Sequence, residues 1–131
     1  MTSPAVVLAV EDDPRNAALL QAIIRPPAYE LHLATSLGAA RRWLEGREPS
    51  IVLLDRHLPD GDGLTLCEEI RARSPGLPCP VILVSASALP SDRIAADVAG
   101  CDAFVSKPIR IRPFLDEIER QLARRTGNLA H

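Results

Sequence analysis

Apolar positions along the chain fall into two alternating patterns. Short bounded runs rich in β-branched residues (Val6–Val10, Ile51–Leu54 and Val81–Val84) have the length and composition of strands buried on both faces. Between them, apolar residues recur at helical spacing. Asp13 and Pro14 form an N-cap and first helical residue, and Leu19, Leu20, Ile23 and Ile24 follow as a stripe halted by Pro26-Pro27. Tyr29–Ala34 alternates like a strand exposed on one side, which places it at a sheet edge. Ser36 opens a second helix with Leu37, Ala40, Trp43 and Leu44 inward, ending at Gly46.

The third run leads into a loop, Arg56–Asp62, full of Pro, Gly and Asp. A helix carrying Leu64, Cys67 and Ile70 runs to Arg73, where Ser74-Pro75-Gly76 breaks it. A short, weakly apolar helix over Pro90–Ala99 ends at Gly100, and a short strand, Ala103–Val105, follows. Pro113 starts a last helix with Leu115, Ile118 and Leu122 in register, stopped by Thr126-Gly127-Asn128. Repeated strand–helix alternation with short connections calls for an α/β fold: a parallel sheet covered on both faces. Five units fit a doubly wound, flavodoxin-like five-stranded sheet of order 2-1-3-4-5 with five helices. At 131 residues the chain reads as a single domain, with a core over about 5–125 and a tail at 126–131.

Composition narrows the function classes. With 47% hydrophobic and 24% charged residues and a formal charge of −2, the chain has the balance of a soluble domain, and no basic stripe directs it to nucleic acid. No run approaches membrane-spanning length, and the first apolar stretch stops at three acids, which no signal peptide does. Cys67, Cys79 and Cys101 form no C-x-x-C pair and read as reduced thiols of a cytoplasmic protein. Of the 15 basic residues, only Lys107 is a lysine. A retained ammonium suits a position that wants a compact point charge.

The candidate chemistry lies where strands end. The first run ends in Glu11-Asp12-Asp13 and the third in Asp55, so neighbouring strands would pool their carboxylates at the C-terminal edge of the sheet, where such folds bind ligands. Two unit charges about 4 Å apart repel by about 4 kcal/mol at an effective dielectric near 20. Such a crevice needs a counter-ion, and hard oxygen donors with open positions favour Mg²⁺. Asp13, Asp60 and Asp62 read equally well as helix caps and loop solvation, but Asp55, directly after four buried apolar residues, does not. A carboxylate beside Mg²⁺ can attack phosphorus and form an aspartyl phosphate. Ser85 and Lys107 end the fourth and fifth strands on the same edge and supply a hydroxyl and a second cation.

Glu11-Asp12, Leu53-Leu54-Asp55-Arg56-His57-Leu58-Pro59-Asp60-Gly61-Asp62-Gly63, Ser85-Ala86 and Phe104-Val105-Ser106-Lys107-Pro108 together resemble the receiver domain of two-component response regulators, over roughly residues 5–125. The resemblance implies that Asp55 accepts phosphate from a phosphohistidine donor, carried by a sensor histidine kinase or a histidine phosphotransfer protein. It implies Mg²⁺ held directly by Asp12, Asp55 and the His57 backbone carbonyl, with Glu11 acting through water. Lys107 would contact the phosphoryl group, and the peptide before Pro108 would be cis. Ser85 would swing toward the phosphate and Phe104 would rotate inward, switching an output surface formed by the fourth helix, fifth strand and fifth helix toward a downstream protein or domain. Such a domain catalyses only its own phosphorylation and dephosphorylation, and contacts neither nucleic acid nor membrane. Leu58, Ser85 and Glu11 are mild departures from commoner residues of the family. The alternatives are a pseudo-receiver that docks partners without phosphorylation and an aspartyl-phosphate phosphatase. The phosphatase would need an acid where His57 stands.

Overall fold

The computed structural model describes residues 3–73 and 79–130, with side chains through Arg124. Five parallel strands make one sheet: β1 (Ala5–Val10), β2 (Tyr29–Ala34), β3 (Ile51–Asp55), β4 (Val81–Ser85) and β5 (Ala103–Ser106). Their spatial order is 2-1-3-4-5, with β2 and β5 at the edges. The helices are α1 (Pro14–Ile23), α2 (Leu37–Leu44), α3 (Gly63–Arg73), α4 (Pro90–Ala99) and α5 (Ile111–Ala130). None of the described helices is long and apolar enough to cross a membrane.

The sheet separates two cores. On one face Leu8, Val10, Val52, Leu54 and Leu83 pack against α2, α3 and α4 through Leu37, Leu44, Leu66, Ile70 and Ala96. On the other, Val7, Ala9, Leu53, Ile82 and Val84 meet Leu20 of α1 and Phe114 and Ile118 of α5. Central strands are therefore apolar on both faces, which explains why β1, β3 and β4 read as unbroken runs while the edge strand β2 alternates.

Local chemistry sets the helix starts. Asp13 accepts the Arg15 N–H at 2.8 Å before Pro14, and Ser36 accepts the Ala39 N–H at 3.1 Å. Asp60 takes the Leu37 and Gly38 N–H groups at 2.8 and 2.9 Å, and Asp62 takes that of Leu64 at 2.9 Å. The capping reading of Asp13, Asp60 and Asp62 holds. Gly100 closes α4 at φ 96°, in the left-handed region.

Four expectations shift. The segment after Asp55 is no plain loop: His57–Leu58 and Gly61–Asp62 pair as a small antiparallel hairpin, too short to leave a periodic signature. The last helix begins at Ile111, two residues before Pro113, which a first turn tolerates because its N–H groups have no helical acceptor. It then runs through Thr126, Gly127 and Asn128 to Ala130, so residues 126–130 of the supposed tail belong to α5. A single helical glycine costs only about 1 kcal/mol relative to alanine, too little by itself to end a helix. Trp43 is half-buried, its ring shared with His32 and the Arg47 guanidinium. The expected break at Ser74-Pro75-Gly76 lies outside the described residues.

Candidate active site

β1 and β3 lie side by side with Val10 opposite Leu54, so the next residue of each strand, Glu11 and Asp55, emerges at the same edge. Glu11, Asp12 and Asp55 each offer a carboxylate oxygen, and these lie within 4.8 Å of one another. Glu11 and Asp55 are buried, whereas Asp12 is exposed. The crevice is thus apolar-walled at its floor and open to water on the Asp12 side. Asp13, the third acid, turns away to cap α1 while its N–H donates to Glu11 Oε2 at 3.1 Å.

Lys107, just past β5, reaches back into this crevice. Its Nζ lies 3.2 Å from Asp55 Oδ2 and 3.2 Å from Glu11 Oε1. Burial alone would pull the ammonium's pKa down, but the carboxylates of Asp55 and Glu11 outweigh it and the net direction is up. Glu11 also moves up, chiefly through burial and with help from the Asp55 charge, against the Asp13 N–H and Lys107. A carboxylate that resists ionisation beside an ammonium marks a site that one lysine leaves short of positive charge. Three hard oxygen donors around one ammonium, open on one side, fit a small divalent cation that keeps some of its waters.

The remaining expected residues sit around this cluster. Ser85 is fully buried at the end of β4; its Oγ accepts the Ser87 N–H at 3.2 Å, and its carbonyl accepts the Lys107 N–H at 2.9 Å. The His57 N–H faces Asp55 Oδ1 at 3.4 Å, and His57 itself is exposed. Phe104 is half-buried on β5, with the Arg93 guanidinium 4.7 Å above its ring. The Lys107–Pro108 peptide is cis, as the resemblance implies. Glu11, Asp12, Asp55 and Lys107 are therefore brought together, while Ser85 stands at the end of β4 and Phe104 lies on β5.

Two features escaped the sequence. Arg56, next to Asp55, pairs through Nη1 with Asp92 Oδ1 at 2.9 Å, and Asp92 Oδ2 accepts the Ser87 hydroxyl at 2.6 Å and the Leu89 N–H at 3.0 Å. This chain of contacts ties the Asp55 loop to the segment between β4 and α4. Gly63 is the second. A Cβ there would lie 2.2 Å from the Asp55 carbonyl oxygen, so only glycine lets α3 begin against the end of β3. Its N–H donates to the Arg56 carbonyl at 2.6 Å.

Comparison with known proteins agrees with this geometry. The family model described as "Response regulator receiver domain" matches residues 7–119. The chain is 37% identical over 128 residues to the Probable transcriptional regulatory protein TcrX of Mycobacterium tuberculosis, covering 95% of this chain and 52% of that protein. The chain spans about half the length of the curated relatives it matches. Among solved structures it is similar to a CheY-like receiver domain of Methanospirillum hungatei (TM-score 0.88, 26% identity, covering 96% of this chain and 99% of that one). It is also similar to the receiver domain of a Pseudomonas aeruginosa sensor histidine kinase, a structure with magnesium coordinated in its active site cleft (TM-score 0.82, 30% identity, 92% and 98% covered).

Proposed function

The chain belongs to the response regulator receiver domain family of two-component signalling, and from that membership we propose that Asp55 is a phosphoacceptor that works with Mg²⁺. The observation that carries this reading is the single ammonium of Lys107 set 3.2 Å from both Asp55 and Glu11 in a three-carboxylate crevice. Asp12, Asp55 and the His57 carbonyl would hold the metal directly, and Glu11 through water. Mg²⁺ would supply charge neutralisation of the crevice and of the incoming phosphoryl oxygens.

The chain's own residues do the rest. A carboxylate oxygen of Asp55 attacks phosphorus, the P–N bond of a phosphohistidine breaks, and the imidazole leaves. Lys107, already paired with Asp55, meets the new phosphoryl oxygens. Ser85 rotates its hydroxyl toward them, giving up the Ser87 N–H, and Phe104 moves inward beside it. The two states then differ in contacts that the phosphoryl group alone can make, which is what a population shift requires. Catalysis serves only the domain's own modification. Donors are a sensor histidine kinase or a histidine phosphotransfer protein. The readout surface is the α4–β5–α5 face, where Ile94 and Val98 of α4 are exposed.

The test is mass spectrometry after incubation with Mg²⁺ and a small-molecule phosphodonor. One phosphate should be added, mapping to Asp55, and Asp55→Asn should abolish it. Labelling that survives the substitution, or that proceeds in a metal-chelating buffer, overturns the assignment.

A further inference from the structure

Phosphoryl chemistry uses none of the cysteines, yet two of them meet. Cys67, buried on α3, and Cys101, half-exposed in the turn between α4 and β5, place their sulfurs 3.5 Å apart, with the Cys101 thiol donating to Cys67. They are 34 positions apart in the chain. A disulfide bond is about 2.05 Å long, so small side-chain rotations close the gap.

The surroundings hold the two sulfurs in place. Arg71, one turn beyond Cys67 on α3, donates through Nε to the Gly100 carbonyl at 2.9 Å and through Nη1 to the Cys79 carbonyl at 2.6 Å, and it pairs with Asp102. The turn carrying Cys101 is thereby clamped to the helix carrying Cys67. The same arrangement favours loss of one proton from the pair. The hydrogen bond from Cys101 pulls the Cys67 thiol down, with Arg71 assisting against burial, and the remaining proton on Cys101 is held more tightly. The negative charge therefore rests on Cys67, and the Cys101 thiol, the one solvent reaches, points its proton at a sulfur able to take it up.

We propose that Cys67 and Cys101 form a two-electron oxidation site that closes to a disulfide on reaction with a hydroperoxide. The Cys101 sulfur attacks a peroxide oxygen as its proton passes to the Cys67 thiolate, the O–O bond breaks, and the departing hydroxide takes up a proton to leave as water. The resulting sulfenic acid is attacked by Cys67; the S–S bond forms, the S–O bond breaks, and the second oxygen leaves as water with the thiol's proton. For hydrogen peroxide, two thiols are oxidised and one peroxide is reduced to two waters. A dithiol reductant reverses the change, as expected of a cross-link in a reducing compartment.

The experiment treats the reduced full chain with hydrogen peroxide, blocks remaining thiols by alkylation, and maps peptides by mass spectrometry. The expected result is loss of two hydrogen atoms from the monomer and a linked Cys67–Cys101 peptide that dithiothreitol removes. Cys79→Ser should retain the link and Cys101→Ser should abolish it; because Cys101 is half-exposed, that variant is the mildest change to the fold, and the wild-type map is decisive without it. Any of three results overturns the proposal: a link through Cys79 or between two chains, irreversible oxidation of Cys101 with no linked peptide, or full alkylation of both cysteines after peroxide has consumed an equal amount of glutathione.

Discussion

Gly63→Ala tests whether the Asp55 site depends on a close approach of two backbones. The added Cβ would meet the Asp55 carbonyl oxygen at 2.2 Å, the Asp55 carbonyl carbon at 3.1 Å and the Arg56 Cα at 3.2 Å, all main-chain atoms with no flexible end to yield. Reaching even the 3.0 Å floor of real contacts demands a displacement of at least 0.8 Å. Gly63 does not occupy the left-handed region, so the obstacle is space and not conformation. Because β1 and β4 flank β3 on both sides, the movement falls on the Arg56–Gly63 segment and the carbonyl of His57. Overpacking of this kind costs about 3 kcal/mol. The helix gains up to about 1 kcal/mol from alanine over glycine, leaving a net loss of about 2 kcal/mol in urea unfolding. Misplacing a reacting group by about 1 Å can cost about a hundredfold, so phosphodonor labelling of Asp55 should slow by that order. Gly46→Ala is the control: no atom lies within 4 Å of its Cβ, and it should unfold and label like the wild type. Wild-type stability and labelling in Gly63→Ala would refute the reasoning.

Lys107→Ala strands two buried carboxylates and should cost about 3 kcal/mol in metal-free urea unfolding, a gap that narrows when Mg²⁺ supplies the missing charge. Because the folded ammonium's pKa is raised above 10.5, its contribution is complete at neutral pH and is lost only as pH climbs through the raised value, which alkaline unfolding curves should show. Asp92 has the opposite sign: the Ser87 hydroxyl above all, then the Leu89 N–H and Arg56, hold its carboxylate below the ordinary 3.8. Its stabilisation is present above 3.8 and disappears as pH falls through the lowered value, so wild type and Asp92→Asn should differ by a constant amount at neutral pH and converge in acid. Trp43→Phe should stay within about 1 kcal/mol of wild type in urea midpoint measurements, because the indole N–H it deletes is buried without an acceptor.

What could be read in the sequence is what the chain encodes locally. Strands and helices repeat along it with their own periods, and the caps Asp13 and Ser36 sit where short polar side chains must. Glu11, Asp12, Asp55 and Lys107 were legible because each sits at or just past the end of a strand, so topology alone carries them to one edge. Arg56 and Asp92 were not. Their pairing joins the Asp55 loop to α4 across 36 positions, and no local pattern marks an arginine that faces a distant helix. Cys67 and Cys101 escaped for the same reason. The hairpin at His57–Asp62 has strands of two residues, below the length at which alternation can register.

The acids at the strand ends also bear on how the sheet finds its alignment. In a half-exposed sheet, register is fixed because a slip by one residue turns apolar side chains outward. That constraint is weak in β1, β3 and β4, whose interiors are apolar on both faces, so a slipped strand would still present hydrophobic groups to both cores. A slip that carries Asp55 or Glu11 inward is different. It would draw a carboxylate away from Lys107 and into the apolar sheet, at a desolvation penalty of several kcal/mol. Moving Asp55 inward against β4 would also place Pro80 within the ladder beside Val52, whose N–H already bonds the Pro80 carbonyl at 3.0 Å, and proline has no N–H to give a central strand. The carboxylates assigned to phosphoryl chemistry therefore also act as stops, and the pairing that assembles the site is held in place by the residues the site requires.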